Sequence, residues 1–436
     1  MFNTVRKKVF FIVDKVKGSP IKKNLDMLYK YDLLNYNDEW LMKDQKKNIN
    51  RLISIAVNNT EYYKKYNDLK FEEFPVINKN IIKSNQKIIM NKNYDKNSLF
   101  QMSTSGSTGT PFICYQNIEK KRKVSAEIIF YSQKAGYDIG NNLVYLRSLS
   151  NRSNKPFYKQ LLQNQYTLDC NDLSDQKIYF LLNYIHKYSQ KGKMMLLGYG
   201  STYKVFKEYL SKNNDNQIIK LAGVVSGSDM LFDDVRETIE NKFGCRCYSR
   251  YSNEENGVLA QDDTENNVFI INEANYFIEI FKLDKDELAD EGECGRIVVT
   301  DLYNYAMPMI RYDTGDIGRI SYRIDSNGKK KRVIDNFGGR KVDIIYTVSG
   351  DIVSPHSITN LMWDYPEIRQ FQFVQYDKGA YRLVLNIGKS IIDEKLILEA
   401  LKAIVGELAQ INIEYVDEIP VLHSGKRRYI ANEWRK

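Results

Sequence analysis

No stretch of this sequence approaches the roughly 18–20 consecutive apolar residues that a membrane-spanning helix needs, so no transmembrane segment is expected. Cysteine is scarce and irregular: Cys114, Cys170, Cys245, Cys247 and Cys294 are an odd set that makes no disulfide framework. Reduced thiols and a cytoplasmic location fit that usage. Cys245-Arg246-Cys247 is at most half of a metal site. With three histidines in the chain and no second close cysteine pair, a zinc centre is not expected. No zinc finger, recognition motif or basic–aromatic stripe accompanies the positive charge, so nucleic acid is excluded as the expected partner. Internal repeats and low-complexity tracts are absent too.

What is present describes a large soluble-type chain. Its 436 residues are 43% hydrophobic and 27% charged, enough for two or three domains and a sizeable core. The formal net charge of +9 attracts nucleotides, acidic substrates or anionic membranes without choosing among them. Residues 1–23 combine Arg6, Lys7, Lys8, Lys15, Lys17, Lys22 and Lys23 with Val9, Phe10, Phe11, Ile12, Val13 and Val16. The apolar run is too short for a signal peptide. A helix here either packs on its own domain or lies peripherally on an anionic membrane.

Periodicity divides the rest. Residues 20–100 are polar and helical in texture, punctuated by Pro75. Residues 142–148, 193–199 and 220–226 suit buried strands. Residues 118–134, 175–191, 202–212 and 232–243 suit helices between them. That alternation predicts an α/β core with a largely parallel sheet. A strand-rich run follows at 268–272, 276–281 and 296–302. Beyond about 339 the texture changes to hairpins at 341–354 and 370–387, a helix at 392–410 and a strand at 411–416. The expected organisation is a large domain over 1–338, with 1–95 helical, and a small mobile α+β domain over 339–436. Gly338-Gly339 is the expected hinge, since glycine tolerates large backbone changes.

Five segments carry chemistry. Ser103-Thr104-Ser105-Gly106-Ser107-Thr108-Gly109-Thr110-Pro111 offers hydroxyls and a glycine-bearing backbone that can form an anion-binding nest. It lacks the Gly-Lys-Ser/Thr ending of a Walker loop, so a lysine must come from elsewhere. Tyr251-Ser252-Asn253-Glu254-Glu255 follows a strand-like stretch; a tyrosine can stack on a base, and a glutamate can hold Mg2+ near phosphates. In Arg311-Tyr312-Asp313-Thr314-Gly315-Asp316 a polar, turn-forming string sits between apolar strands, and a carboxylate there can accept both ribose hydroxyls. Gly338-Gly339-Arg340 places a cation at the hinge. Finally, Lys426 lies in Pro420-Val421-Leu422-His423-Ser424-Gly425-Lys426, ten residues from the end.

In order and spacing these elements resemble the adenylate-forming superfamily of acyl and aryl ligases. The similarity leans towards the phenylacetate–CoA ligase branch and, within it, the CapK-like (coenzyme F390 synthetase-like) proteins of surface-polysaccharide clusters. It covers roughly residues 95–436. The resemblance implies a phosphate loop at Ser103–Pro111 and an adenine-lining turn at Ser226-Gly227-Ser228-Asp229. It implies Glu255 towards Mg2+, Tyr251 beside it, Asp316 on the ribose assisted by Arg340, and Lys426 as the lysine of adenylation. Tyr199, Gly200 and Ser201 fall where the family lines its acid pocket. Two departures stand out: Ser252 replaces a glycine, and Glu254 replaces a hydroxyl residue that touches phosphate. A carboxylate there repels phosphate unless Mg2+ or a lysine offsets it.

The implied activity is ATP- and Mg2+-dependent activation of a small carboxylate. Transfer would follow to CoA or to an amine or sugar acceptor, in cell-surface polysaccharide assembly. Transfer of AMP itself and a degenerate nucleotide-binding scaffold are the open alternatives.

Overall fold

The computed structural model describes residues 2–104, 112–147, 156–170, 173–213, 215, 217–228, 230–340, 345–350, 352–353, 358, 361–362, 364–365, 367–388, 391–420 and 429–434. A mixed eleven-stranded sheet organises most of them. Five neighbouring strands are parallel: Gln165–Asp169, Asn142–Arg147, Met194–Tyr199, Gly223–Gly227 and Cys247–Asn253. The helices Asp175–Ser189, Gly200–Asn213 and Asp233–Phe243 provide the crossovers that parallel neighbours require.

Alternation along these strands supplies two buried faces. Met194, Leu196, Val224 and Cys247 meet Ile178, Phe206 and Ile239 of the three helices. Met195 and Val225 turn the other way, towards Ala135 and Tyr137. The approach there is tight: a Cβ on Gly223 would stand 1.6 Å from the Ala135 carbonyl oxygen, so only glycine fits.

The expectation of a largely parallel sheet holds for this half alone. Gly257–Asp262, Phe269–Ile271, Lys330–Arg340, Tyr312–Ile324, Gly295–Asp301 and Tyr276–Phe281 continue the sheet with antiparallel neighbours throughout. No crossover helices separate these segments, so they pair as hairpins and meanders. Two further corrections concern this part of the chain. Asp313-Thr314-Gly315-Asp316 is not a turn between strands but lies within the strand Tyr312–Ile324. The helix Phe157–Gln163 and strand Gln165–Asp169 occupy a span to which the sequence pattern assigned no element.

Residues before 100 are helical as expected, with long helices Phe2–Val16, Pro20–Asp32 and Glu39–Asn59. Leu25, Leu28 and Leu41 pack on Phe130 and Tyr131 of the helix Ile118–Lys134. The first helix is pinned through one face. Lys7 pairs with Asp138 at 2.7 Å, and Asn3 Nδ2 donates to Asn141 Oδ1 at 3.3 Å. Asp14 accepts from the backbone nitrogens of Ile21 and Lys22, both at 2.9 Å, which caps the next helix.

A smaller α+β unit follows residue 345 and has its own core, with Ile345, Phe373, Tyr381, Leu383, Ile397, Leu401 and Ile430 among its members. The hairpin Gln370–Asp377/Ala380–Asn386 is flanked in parallel by Ile430–Asn432 and Gln410–Tyr415. Its helix, Glu394–Val405, is shorter than the sequence pattern indicated, because Gly406 ends it at φ 111°.

Inside the large unit, Arg236 and Asp262 form a pair that is almost fully buried, with 2.8 Å between Nη2 and Oδ2. Arg236 also donates to the Cys247 carbonyl, tying its helix to the sheet. Arg236→Met leaves Asp262 as an uncompensated buried carboxylate. It is expected to cost about 3–5 kcal/mol, read as a lower urea midpoint for the large unit; an unchanged midpoint refutes the assignment.

Candidate active site

The carboxyl ends of three adjacent parallel strands bring most of the motifs together. Tyr199 is paired with Gly227, and Gly227 with Arg250, one residue before Tyr251. Gly200 and Ser201 open the helix that follows, while Ser228 turns away from the sheet at φ 71°. The Ser226 hydroxyl is buried, and among the described residues it has no hydrogen-bond partner. An orphaned hydroxyl at this edge fits a polar ligand, and this edge is where open α/β sheets bind them. Asp229 lies outside the described residues.

Tyr251 connects this edge to the antiparallel half. Its hydroxyl donates to Asp316 Oδ2 at 2.8 Å, and its ring lies 4.7 Å from that of Phe337. Burial, and secondly the Asp316 charge, raise the Tyr251 pKa well above the phenol range, so it stays a donor. The sequence suggested base stacking for Tyr251; in the structure Phe337 and Asp316 engage it, and it orients the carboxylate. Asp316 is also in register with Arg340 on the neighbouring strand, which places Arg340 at this corner; its side chain lies outside the described residues.

Glu255 occupies the other corner. It is 2% exposed, and its Oε1 receives Lys79 Nζ at 2.8 Å and the Tyr312 hydroxyl at 3.0 Å. Burial and the Glu255 charge in turn raise the Tyr312 pKa. Tyr312 stacks on Phe112 with ring centres 6.5 Å apart. Phe112 is the strand partner of Thr104, and Ser103 pairs with Ile113. The strands Phe100–Thr104 and Phe112–Gln116 thus pair as a hairpin whose Phe112 stacks on Tyr312, a partner of Glu255. Ser105, Gly106, Ser107, Thr108, Gly109 and Thr110 themselves lie outside the described residues.

Lys79 and Tyr312 were missed by sequence reasoning. Lys79 begins the short helix Lys79–Ser84, capped by the Asn78 side chain. In an Asn- and Lys-rich region it has the texture of a surface residue. Its placement is tertiary. Ile77 bridges the strand Tyr312–Ile324 through Ile77 N to Arg311 O at 2.9 Å and Asp313 N to Ile77 O at 2.8 Å. Arg311 clamps the same segment, donating to the Glu72 carbonyl at 2.6 Å while paired with Glu279 at 2.7 Å.

Glu254 is exposed rather than buried with its neighbour. Burial lowers the Lys121 pKa, and the Glu254 charge opposes that fall. A lysine is therefore within electrostatic reach of the carboxylate that departs from the family pattern. As for a cation, one buried carboxylate suits Mg2+, which keeps water and phosphate ligands rather than an all-protein cage. Among the described residues no three His, Cys, Asp or Glu side chains form a metal cluster.

Lys426 lies outside the described residues. Tyr429, three positions later in the chain, has its ring 5.5 Å from Lys204 Nζ. Lys204 sits on the helix Gly200–Asn213, so the two units meet on the element that carries Gly200 and Ser201.

Comparison with known proteins agrees with this arrangement. A family model described as the CapK C-terminal domain matches residues 345–433. The Protein CapK of Staphylococcus aureus is 26% identical over 92% of this chain and 89% of its own. The chain is a CapK homologue. A phenylacetate-coenzyme A ligase of Thermus thermophilus is 22% identical over 51% of this chain and 49% of that protein. Among solved structures, 2-hydroxyisobutyryl-CoA ligase in its postadenylation state superposes with a TM-score of 0.70 at 14% identity, covering 91% of each chain. The fold is that of the adenylate-forming ligases.

The Lys79–Glu255 pair offers a direct check on the geometry. Lys79→Met is expected to destabilise by about 2 kcal/mol, below the cost for a fully buried pair because Lys79 is partly solvated. Adding Glu255→Gln should recover most of that loss in urea unfolding. Strictly additive effects of the two substitutions refute the coupling.

Proposed function

We propose that this protein is an ATP-dependent carboxylate ligase that forms an acyl-adenylate and passes the acyl group to CoA or an amine. The observation that carries this reading is the convergence of two prepared carboxylates. Asp316 is oriented by Tyr251, and Glu255 is held beside the hairpin that bears the hydroxyl-rich loop.

In this reading the Asp316 carboxylate accepts the ribose hydroxyls and Arg340 assists it. Ser226, Gly227 and Ser228 line the adenine. Ser103 and Thr104, with Ser105 to Thr110, hold the phosphates through hydroxyls and backbone N–H groups. Tyr199, Gly200 and Ser201 face the acid. Glu255 would hold Mg2+, which supplies charge neutralisation on the phosphate oxygens. Two anions must still meet when the carboxylate approaches ATP. Lys79 is a second cation in that corner.

A carboxylate oxygen attacks the α-phosphorus and pyrophosphate leaves. Lys426, delivered by the small unit, stabilises the charge developing between them. Rotation about Gly338-Gly339 and the following residues then admits the acceptor. Its sulfur or nitrogen attacks the acyl carbonyl, and AMP departs. The phenylacetate-coenzyme A ligase relatives and the likeness to 2-hydroxyisobutyryl-CoA ligase favour CoA as the acceptor. The similarity to CapK favours cell-surface polysaccharide assembly as the setting, where an amine or sugar acceptor is also in keeping.

The test is ATP–pyrophosphate exchange with Mg2+ over aryl, fatty, amino and uronic acids. Exchange should depend on one class of acid, and Lys426→Ala should lower it by roughly 10²-fold or more, comparable to losing one transition-state donor. Undiminished exchange in the variant removes Lys426 from the chemistry. Product mass separates acyl transfer from AMP transfer. Asp316→Asn should raise the KM for ATP by about tenfold, the loss of one charge-assisted hydrogen bond; an unchanged KM takes Asp316 off the ribose.

A further inference from the structure

The first helix presents two unlike faces. Asn3, Lys7 and Asp14 bind the body of the protein, and Phe11 packs against the core around Phe130. On the opposite side Val5, Val9, Ile12, Val13 and Val16 follow helical spacing and form one continuous apolar stripe. All five are exposed, from 47% for Val13 to 84% for Val16. Nothing among the described residues covers them. Arg6 and Lys17 border one side of the stripe by their helical positions, and Lys8 and Lys15 the other. The helix contains one acidic residue, Asp14, and that is buried in the cap of the next helix.

A second element extends this surface. Arg6 Nη2 reaches the Leu161 carbonyl at 3.5 Å, which sets the helix Phe157–Gln163 beside the first. That helix exposes Phe157, Tyr158, Leu161 and Leu162, carries Lys159, and has no acidic residue. Exposed apolar side chains on two neighbouring helices, bordered by the cations named above, are more than the scattered hydrophobics of an ordinary surface.

We infer that the helices Phe2–Val16 and Phe157–Gln163 together form a docking face for an anionic phospholipid membrane. The charge decides the occupant: valine and isoleucine enter the headgroup–acyl boundary while Arg6, Lys8, Lys15, Lys17 and Lys159 meet phosphates. Lysine stems can lie along the apolar stripe with their ammonium groups at headgroup level. A protein partner contacting this face would have to bury those cations or match them one by one.

The location supports function. Asn141 and Asp138 precede the strand Asn142–Arg147, and Asn164, whose Nδ2 donates to the Gly140 carbonyl at 3.0 Å, precedes Gln165–Asp169. The docking face thus adjoins the amino ends of the parallel strands. Tyr199, Ser226 and Tyr251 mark the carboxyl ends. Docking would leave the candidate active site open and pointed away from the lipid.

The test uses the full chain and two sets of vesicles, phosphatidylcholine alone and phosphatidylcholine mixed with phosphatidylglycerol. Sedimentation should show binding to the anionic vesicles, at least about tenfold weaker binding to the neutral ones, and release by high salt. Val9→Asp with Ile12→Asp should abolish binding, and Leu162→Asp should weaken it several-fold, with circular dichroism and thermal unfolding unchanged. Lys8→Glu with Lys15→Glu, both at exposed positions, provides a second loss of binding should the apolar changes disturb folding. Absence of binding to anionic vesicles overturns the inference, as does equal binding by the folded variants. So does a wild-type dimer that the Val9/Ile12 variant converts to monomer without vesicle binding, which assigns the face to a second copy of the chain.

Discussion

A buried carboxylate needs partners, and Glu255 obtains them from two places far apart in sequence. Lys79 arrives from the helical N-terminal region and Tyr312 from the antiparallel half of the sheet. Satisfying this single group fixes the segment around Ile77 against the strand Tyr312–Ile324, with Arg311 as the clamp. Because Phe112 stacks on Tyr312, it also fixes the base of the hydroxyl-rich loop. Removing the charge from water is costly. The cost is offset by a cation and a donor that only a correctly closed fold can bring.

Asp316 is organised in a different way. The Tyr251 hydroxyl donates to it, and burial keeps that hydroxyl protonated. The two acidic groups therefore differ in what they offer. Glu255, already facing a lysine, is suited to a site of high charge density such as a triphosphate with its metal. Asp316 is oriented by a tyrosine donor. The strand that carries Asp316 pairs with the one that ends at Arg340. The Lys204–Tyr429 contact shows the two units touching beside Gly200 and Ser201.

The remaining polarity of the molecule runs from one end of the parallel strands to the other. Polar backbone turns and prepared side chains collect at the carboxyl ends, whereas an apolar, cation-bordered surface adjoins the amino ends. A parallel sheet makes this separation available, since all its strands point one way and all its crossovers return behind it.

Much of this was legible in the sequence. Periods of two and near four residues located most of the parallel strands and the three helices between them, and the hairpins of the small unit, because burial of a repeating face is a local property of the chain. The order of the loop, Tyr251, Glu255, Asp316, Arg340 and Lys426 pointed to an adenylate-forming ligase before any fold was described. The tertiary structure alone decided the rest. Asp313–Asp316 has turn-forming residues yet lies within a strand: Asp313 pairs with Val298 and Asp316 with Arg340, and the residues between them take up a shift in register, with Gly315 at φ 81°. Lys79 looked like a surface lysine until the bridge at Ile77 carried it to Glu255. The first helix offered a packed or a membrane-facing reading, and the structure packs one of its faces while leaving an apolar one exposed. Local pattern specifies which face of an element is apolar. Which distant group that face or charge will meet depends on contacts hundreds of residues apart, and the linear order of residues does not encode those one at a time.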